Sequence, residues 1–194
     1  MREGWVELFD SLEKLYASEG SDFARDAQKI LIESSSLLPT KQASLAPACR
    51  HLPALQRDSS ALSDLIISLS DQFSWGYSNG AKANQQLSEN LAYVERIGPT
   101  GMIVDSRMRI GFFLQGPKIS YLKHWHPAEE LYYVVQGKSG WVVDDLPFQD
   151  KKSGDWILHR SMQPHAMLTY DQPMLALWAW RGDLSTAAYE IVAS

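Results

Sequence analysis

Apolar residues at the front of the chain recur at three- and four-residue steps. Trp5, Leu8, Phe9, Leu12, Leu15 and Tyr16 form one such stripe, which predicts an amphipathic helix over residues 3–18. Gly20 ends it, and Ser21 can cap a second helix running to about Ser35, with Phe23, Ala27, Ile30 and Leu31 on its apolar face. Leu37 to Pro53 carries three prolines and reads as an irregular connection. A third helix is predicted from about Ser59 to Phe73 on Leu62, Leu65, Ile66, Leu69 and Phe73.

From Leu91 the period changes. Short apolar and β-branched runs, broken by Gly, Pro and Asp, predict strands at Leu91–Ile97, Arg107–Leu114, Ile119–His124, Glu130–Gln136, Gly140–Asp144, Asp155–Leu158, His165–Leu168 and Pro173–Trp180. Gly116-Pro117, Gly137-Lys138 and Asp171-Gln172-Pro173 supply turns between them. The expected fold is mainly β, an antiparallel barrel or jelly roll over residues 86–194, behind a helical extension over residues 1–85. Apolar stripes need a covering surface, so the helices should pack on the barrel or pair two subunits as a homodimer.

Composition narrows the partners. The 194 residues carry 18 Lys and Arg against 23 Asp and Glu, a net charge of -5, which offers no footprint for nucleic acid or an anionic membrane. Residues 1–82 hold 8 basic against 11 acidic side chains, so the helices are not a DNA-binding head. A single cysteine, Cys49, excludes an intrachain disulfide framework and fits a reducing cytoplasm. The first residues lack the apolar run of a signal peptide, and no stretch approaches a membrane span.

Candidate chemistry concentrates between Ser120 and Gly137. Side chains two apart on a strand share a face, so His124, His126, Glu130 and Tyr132 would look one way if the strand runs on through Pro127, with Glu129 and Tyr133 pointing away. Two imidazoles and a carboxylate suit one divalent transition ion: Zn or Fe first, with Mn and Ni also accepting such ligands. His-x-His, three residues, Glu, six residues, Gly, from His124 to Gly137, resembles the first cupin motif. Gly154 followed eleven positions later by His165 resembles the second, whose histidine completes the metal site. Arg160, Met162 and Thr169 replace the usual Pro, Gly and Asn of that motif, which puts its turn geometry in question.

The longer string Tyr121-x-x-His124-x-His126-x-x-x-Glu130-x-Tyr132, with His165, Trp180 and the helical extension, resembles the cupin dimethylsulfoniopropionate (DMSP) lyases of the DddQ type. The resemblance implies β-elimination of DMSP to dimethyl sulfide and acrylate. It carries over His126, Glu130 and His165 as metal ligands, Tyr132 as a fourth ligand or the base, and Tyr121 as the competing base. His124 ranks below the other ligands, because it would bind the substrate carboxylate if Tyr132 takes its coordination position. Trp178, Trp180 and Tyr121 offer aromatic faces to the sulfonium. An iron-dependent dioxygenase and a cupin that binds a small ligand without turnover remain the competing readings.

Overall fold

A computed structural model describes residues 2–56, 59–77 and 84–191. Two α-helices open the chain, α1 (Arg2–Glu19) and α2 (Asp22–Ser34). Gly20 adopts a left-handed φ of 80° between them, and the Ser21 hydroxyl accepts the Ala24 N–H at 3.1 Å to cap α2. A 3-10 helix, Pro47–Gln56, occupies the end of the expected irregular connection, and α3 follows at Ala61–Ser68. This third helix stops five residues short of Phe73, because Ser70–Gln72 tightens into a 3-10 turn whose Ser70 carbonyl accepts the Trp75 indole N–H at 3.0 Å. A short α4 (Gln85–Asn90), not expected from the sequence, leads into the strands, and the six residues before Asn84 lie outside the described part.

Eleven strands follow: β1 (Leu91–Gly98), β2 (Ile103–Val104), β3 (Met108–Gln115), β4 (Ser120–Trp125), β5 (Glu129–Gln136), β6 (Lys138–Val143), β7 (Gln149–Lys152), β8 (Trp156–His159), β9 (His165–Thr169), β10 (Met174–Arg181) and β11 (Glu190–Ile191). They form a six-stranded sheet, β2-β1-β3-β10-β5-β8, and a five-stranded sheet, β11-β4-β9-β6-β7. The protein is mainly β, as its patterning predicts. The eight expected strands are present with ends shifted by one or two residues, while β2, β7 and β11 are additions.

Two apolar clusters show how the layers stack. Outward residues of the six-stranded sheet, among them Phe112, Leu114, Leu131, Leu175 and Leu177, pack against Leu8, Leu12, Phe23, Ile30 and Ile66 of the helices. Inward residues Phe113, Tyr132, Val134, Ala176, Trp178 and Trp180 form the barrel interior with Tyr121, Trp141 and Met167 of the other sheet. The helices therefore bury their stripes on the outer face of the six-stranded sheet.

Candidate metal centre

The polar group builders of the site come from both sheets. His124 lies on β4, His165 opposite it on β9, and Glu130 and Tyr132 on β5. The chain does not continue as one strand through Pro127, contrary to the condition set by the sequence. It leaves the five-stranded sheet at Trp125 and enters the six-stranded sheet at Glu129. Proline cannot donate to a strand ladder, and here it marks the crossing. His124, His126, Glu130 and Tyr132 still meet, because the inner faces of the two sheets face each other. Glu129 and Tyr133 lie on the other side, with Tyr133 against the helical cluster.

Tyr121 and His124 are three residues apart and would face oppositely on a regular strand. The β4–β9 register shifts between them, and this bulge turns both inward. Their rings are 4.7 Å apart.

His124, His126 and His165 are buried, and one nitrogen of each lies within 4.8 Å of the others. Each ring is oriented from behind. His124 Nδ1 donates to the Leu122 carbonyl at 2.7 Å, His126 Nδ1 to the Ala128 carbonyl at 3.0 Å, and His165 Nδ1 to the Gln163 carbonyl at 2.8 Å. Such backbone acceptors fix the tautomer and leave Nε2 for a ligand. Glu130 Oε2 stands 3.0 Å from His126 Nε2 and 3.3 Å from His165 Nε2, while Oε1 accepts the Trp180 indole N–H at 2.7 Å. The histidine that sequence reasoning ranks last, His124, is thus one of the three that converge.

Electrostatics act on Glu130 and His124 in opposite ways. Burial works to raise the Glu130 carboxyl, but His126 and His165 beside it hold it well below the usual carboxylate range. Burial, then the neighbouring His165, lowers His124 to about 3, so its ring is neutral at neutral pH. An ionised Glu130 and a neutral His124 are in the protonation states in which a carboxylate and an imidazole bind a divalent cation. This donor set fits a first-row divalent ion. Burial and the Glu130 charge raise Tyr132 well above the ordinary tyrosine value.

The cavity lined by His124, His126, Glu130 and Tyr132 has a volume of about 200 Å³ and is also lined by Tyr93, Arg109, Trp178 and Trp180. That is smaller than a drug-sized pocket and suits a small metabolite. Trp178 and Trp180 stand at 77° to each other with centroids 5.9 Å apart. Their N–H groups are engaged by the Phe112 carbonyl and Glu130, so the indole faces make an apolar corner.

Besides Tyr93 and Arg109 of the lining, sequence reasoning missed His159 and Tyr189. His159, on β8 in register with Glu130, is fully buried and stacks on His165 at 4.0 Å and 8°. Its inward parity beside Ile157 could have flagged it. Tyr189 arrives from the C-terminal segment, which carries no motif. At the turn before His165, Met162 takes a left-handed φ of 59° where the cupin pattern has glycine, and its N–H donates to the His126 carbonyl at 2.9 Å.

Residues 25–176 match the profile of the DMSP lyase family, dimethylsulfoniopropionate lyase. The chain belongs to this family. It is 30% identical over 128 residues to dimethylsulfoniopropionate lyase DddQ of Ruegeria pomeroyi, covering 66% of this chain and 64% of that relative's length. It is 29% identical over 200 residues to a putative dimethylsulfoniopropionate lyase, DddL, of Cereibacter sphaeroides, covering 92% of this chain and 82% of that one. The crystal structure of R. pomeroyi DddQ superposes with a TM-score of 0.79 at 25% identity, over 99% of this chain and 98% of that one. A structure reported with the DMSP lyases RdDddP and RnDddQII superposes at 0.76 with 22% identity over the whole of both chains, which shows the shared fold. The superposition on R. pomeroyi DddQ takes in the N-terminal helices of this chain as well as its strands.

Proposed function

We propose that this member of the family cleaves DMSP to dimethyl sulfide and acrylate by β-elimination, with one divalent transition metal ion. The observation that carries the reading is the convergence of three backbone-oriented histidines with Glu130, of which His124, His126 and Glu130 line a small cavity with an aromatic corner. We put His126, Glu130 and His165 first as ligands, with His124 and Tyr132 next. A bound ion would supply Lewis acidity toward the substrate carboxylate, making its α-proton easier to remove.

The chain's own residues supply the rest. Tyr132, whose parity puts its hydroxyl beside Glu130, is the base we propose, since a bound cation would lower its pKa against the raising by burial and Glu130, and Tyr121 is the alternative. The base takes the α-proton, the C–H electron pair becomes the acrylate double bond, and the C–S pair leaves with sulfur. The leaving group is neutral dimethyl sulfide, so no general acid is needed. A sulfonium has no hydrogen to donate, and aromatic faces hold such cations at roughly 0.5 to 2 kcal/mol each. Trp178, Trp180 and Tyr121 present those faces around the cavity. Cysteine usage supports a cytoplasmic setting, and among the described residues no helix is long and apolar enough to cross a membrane.

The decisive experiment is headspace detection of dimethyl sulfide from purified protein and DMSP, with and without chelator. Release that stops on chelation and returns with Zn²⁺ or Fe²⁺ is expected. An unchanged substrate recovered from metal-loaded protein would sink the lyase reading. Release that requires oxygen would favour the dioxygenase instead.

A further inference from the structure

The last wall of the cavity is not made by the barrel. After β10 the chain turns at Gly182, with a left-handed φ of 87°, and runs across the barrel mouth before β11 pairs with β4, Ile191 opposite His124. Three ties hold this segment. Arg109 Nε donates to the Leu184 carbonyl at 3.2 Å, β11 is hydrogen-bonded to β4, and the Tyr189 hydroxyl lies 2.7 Å from the Tyr121 hydroxyl. Thr186 and Tyr189 both line the cavity.

Tyr189 does two things at once. Its ring stacks on His124 at 5.0 Å and 24°, and lies nearly parallel to His126 at 6.1 Å and 19°, so it covers two imidazoles. Its hydroxyl meets Tyr121, whose ring is already fixed by Phe113 at 5.7 Å and 20° and by His124. With the ring held, the remaining freedom of Tyr121 is the direction of its O–H, and the Tyr189 hydroxyl at 2.7 Å is a partner that limits it, whichever of the two oxygens donates. A phenylalanine at 189 would stack equally well, so the hydroxyl, not the ring, is the part that packing leaves unexplained.

We infer that Tyr189 is a positioning residue for Tyr121, delivered by the C-terminal segment, and that residues 182–191 complete the substrate site. The inference rests on the lyase reading. In the role of base, Tyr121 acts through its hydroxyl, and it is this oxygen that Tyr189 contacts.

The test is a double-mutant cycle on the full, metal-loaded chain: wild type, Tyr189→Phe, Tyr121→Phe and the double variant, each checked for metal content and circular dichroism. Turnover is read from dimethyl sulfide, and binding of the product acrylate by calorimetry. Tyr189→Phe should lower kcat by about three- to tenfold, the worth of one hydrogen bond, with KM within about twofold. It should also weaken acrylate by a similar factor only while Tyr121 is present. Tyr189→Ala, which also removes the ring, should raise KM. Wild-type turnover with a Tyr189→Phe variant that equals it, or with losses that multiply fully in the Tyr121→Phe background, would overturn the inference and leave the lyase reading intact. Failure of that reading shows separately, as wild-type protein that releases no dimethyl sulfide, and removes the inference with it.

Discussion

The two sheets of the barrel differ in what lies behind them. The six-stranded sheet is roofed by the helices, so both faces of its central strand are dry: every residue of β10 from Met174 to Trp180 is buried. The five-stranded sheet turns its outer face to solvent, and β9 alternates buried and half-buried positions from His165 to Thr169. Its edge strand β7, Gln149–Lys152, is polar and largely exposed. One sheet is a scaffold clamped between two cores, and the other is a single-sided wall. Chemistry draws on both, since Glu130 and Tyr132 stand on the scaffold and His124 and His165 on the wall.

This contrast predicts that the sheets matter equally for activity and unequally for stability. Glu130→Ala and His165→Ala, one from each sheet, should each reduce dimethyl sulfide release by more than about 100-fold, since even the partners behind metal ligands are worth 10- to 100-fold. Metal content measured by atomic absorption should fall with activity. Full metal occupancy in both variants would remove these residues from the ligand set.

Stability should separate the sheets. Phe112 is fully buried between the scaffold and the helices, with its ring 4.9 Å from Phe73. Phe112→Ala should cost about 3 to 5 kcal/mol in urea unfolding. Leu168→Ala, at a half-buried position of the wall, should cost about 1 kcal/mol or less. Equal losses would break the comparison.

Gly111 sharpens it further. A Cβ there would sit 1.7 Å from the Val94 carbonyl oxygen and 3.1 Å from Trp178 Nε1, so Gly111→Ala must spread β1 from β3 and push the indole. The expected cost is about 1 to 3 kcal/mol, with a raised KM for DMSP because Trp178 lines the cavity. An unchanged KM would mean that the corner of Trp178 and Trp180 does not hold the substrate.

The smallest effect concerns how the helices are tied down. Arg107 bridges Asp105, beside the scaffold's edge strand β2, to Glu33 of α2, at 2.5 and 2.6 Å. Hydrogen bonds from Arg107 hold the Asp105 carboxyl below its ordinary value of 3.8. A carboxyl with a depressed folded-state pKa stabilises the fold above its unfolded value, and that contribution fades as pH falls through the folded value. Asp105→Asn should therefore lower stability at pH 7 by under about 1 kcal/mol, and flatten its decline below about pH 4. Parallel pH profiles for the two proteins would remove Asp105 from the acid response.

Much of this was legible in the sequence because periodicity reports burial. The 3.6-residue stripes of α1 and α2 and the apolar runs of β5 and β10 mark surfaces that must be covered, and the spacing of His124, His126, Glu130 and His165 marks a shared space. What escaped depends on contacts that no local pattern encodes. β7 reads Gln-Asp-Lys-Lys and is a strand only because β6 offers it a ladder. The inward turn of Tyr121 needs a bulge, and the crossing at Pro127 needs a second sheet. Tyr189 reaches the site through the path of the segment after Gly182.

The crossing at Pro127 has a mechanical consequence. His126 sits at the seam, with its carbonyl tied to the Met162 turn and its side chain beside Glu130. An ion gripped from both walls would act as a rivet through the seam, so parting the sheets would first require releasing it. Ligand binding to the folded state alone raises stability with the logarithm of free ligand. The unfolding midpoint should accordingly climb with free Zn²⁺, and the seam, His126 to Ala128, should be the segment whose amide exchange slows most when the ion is added.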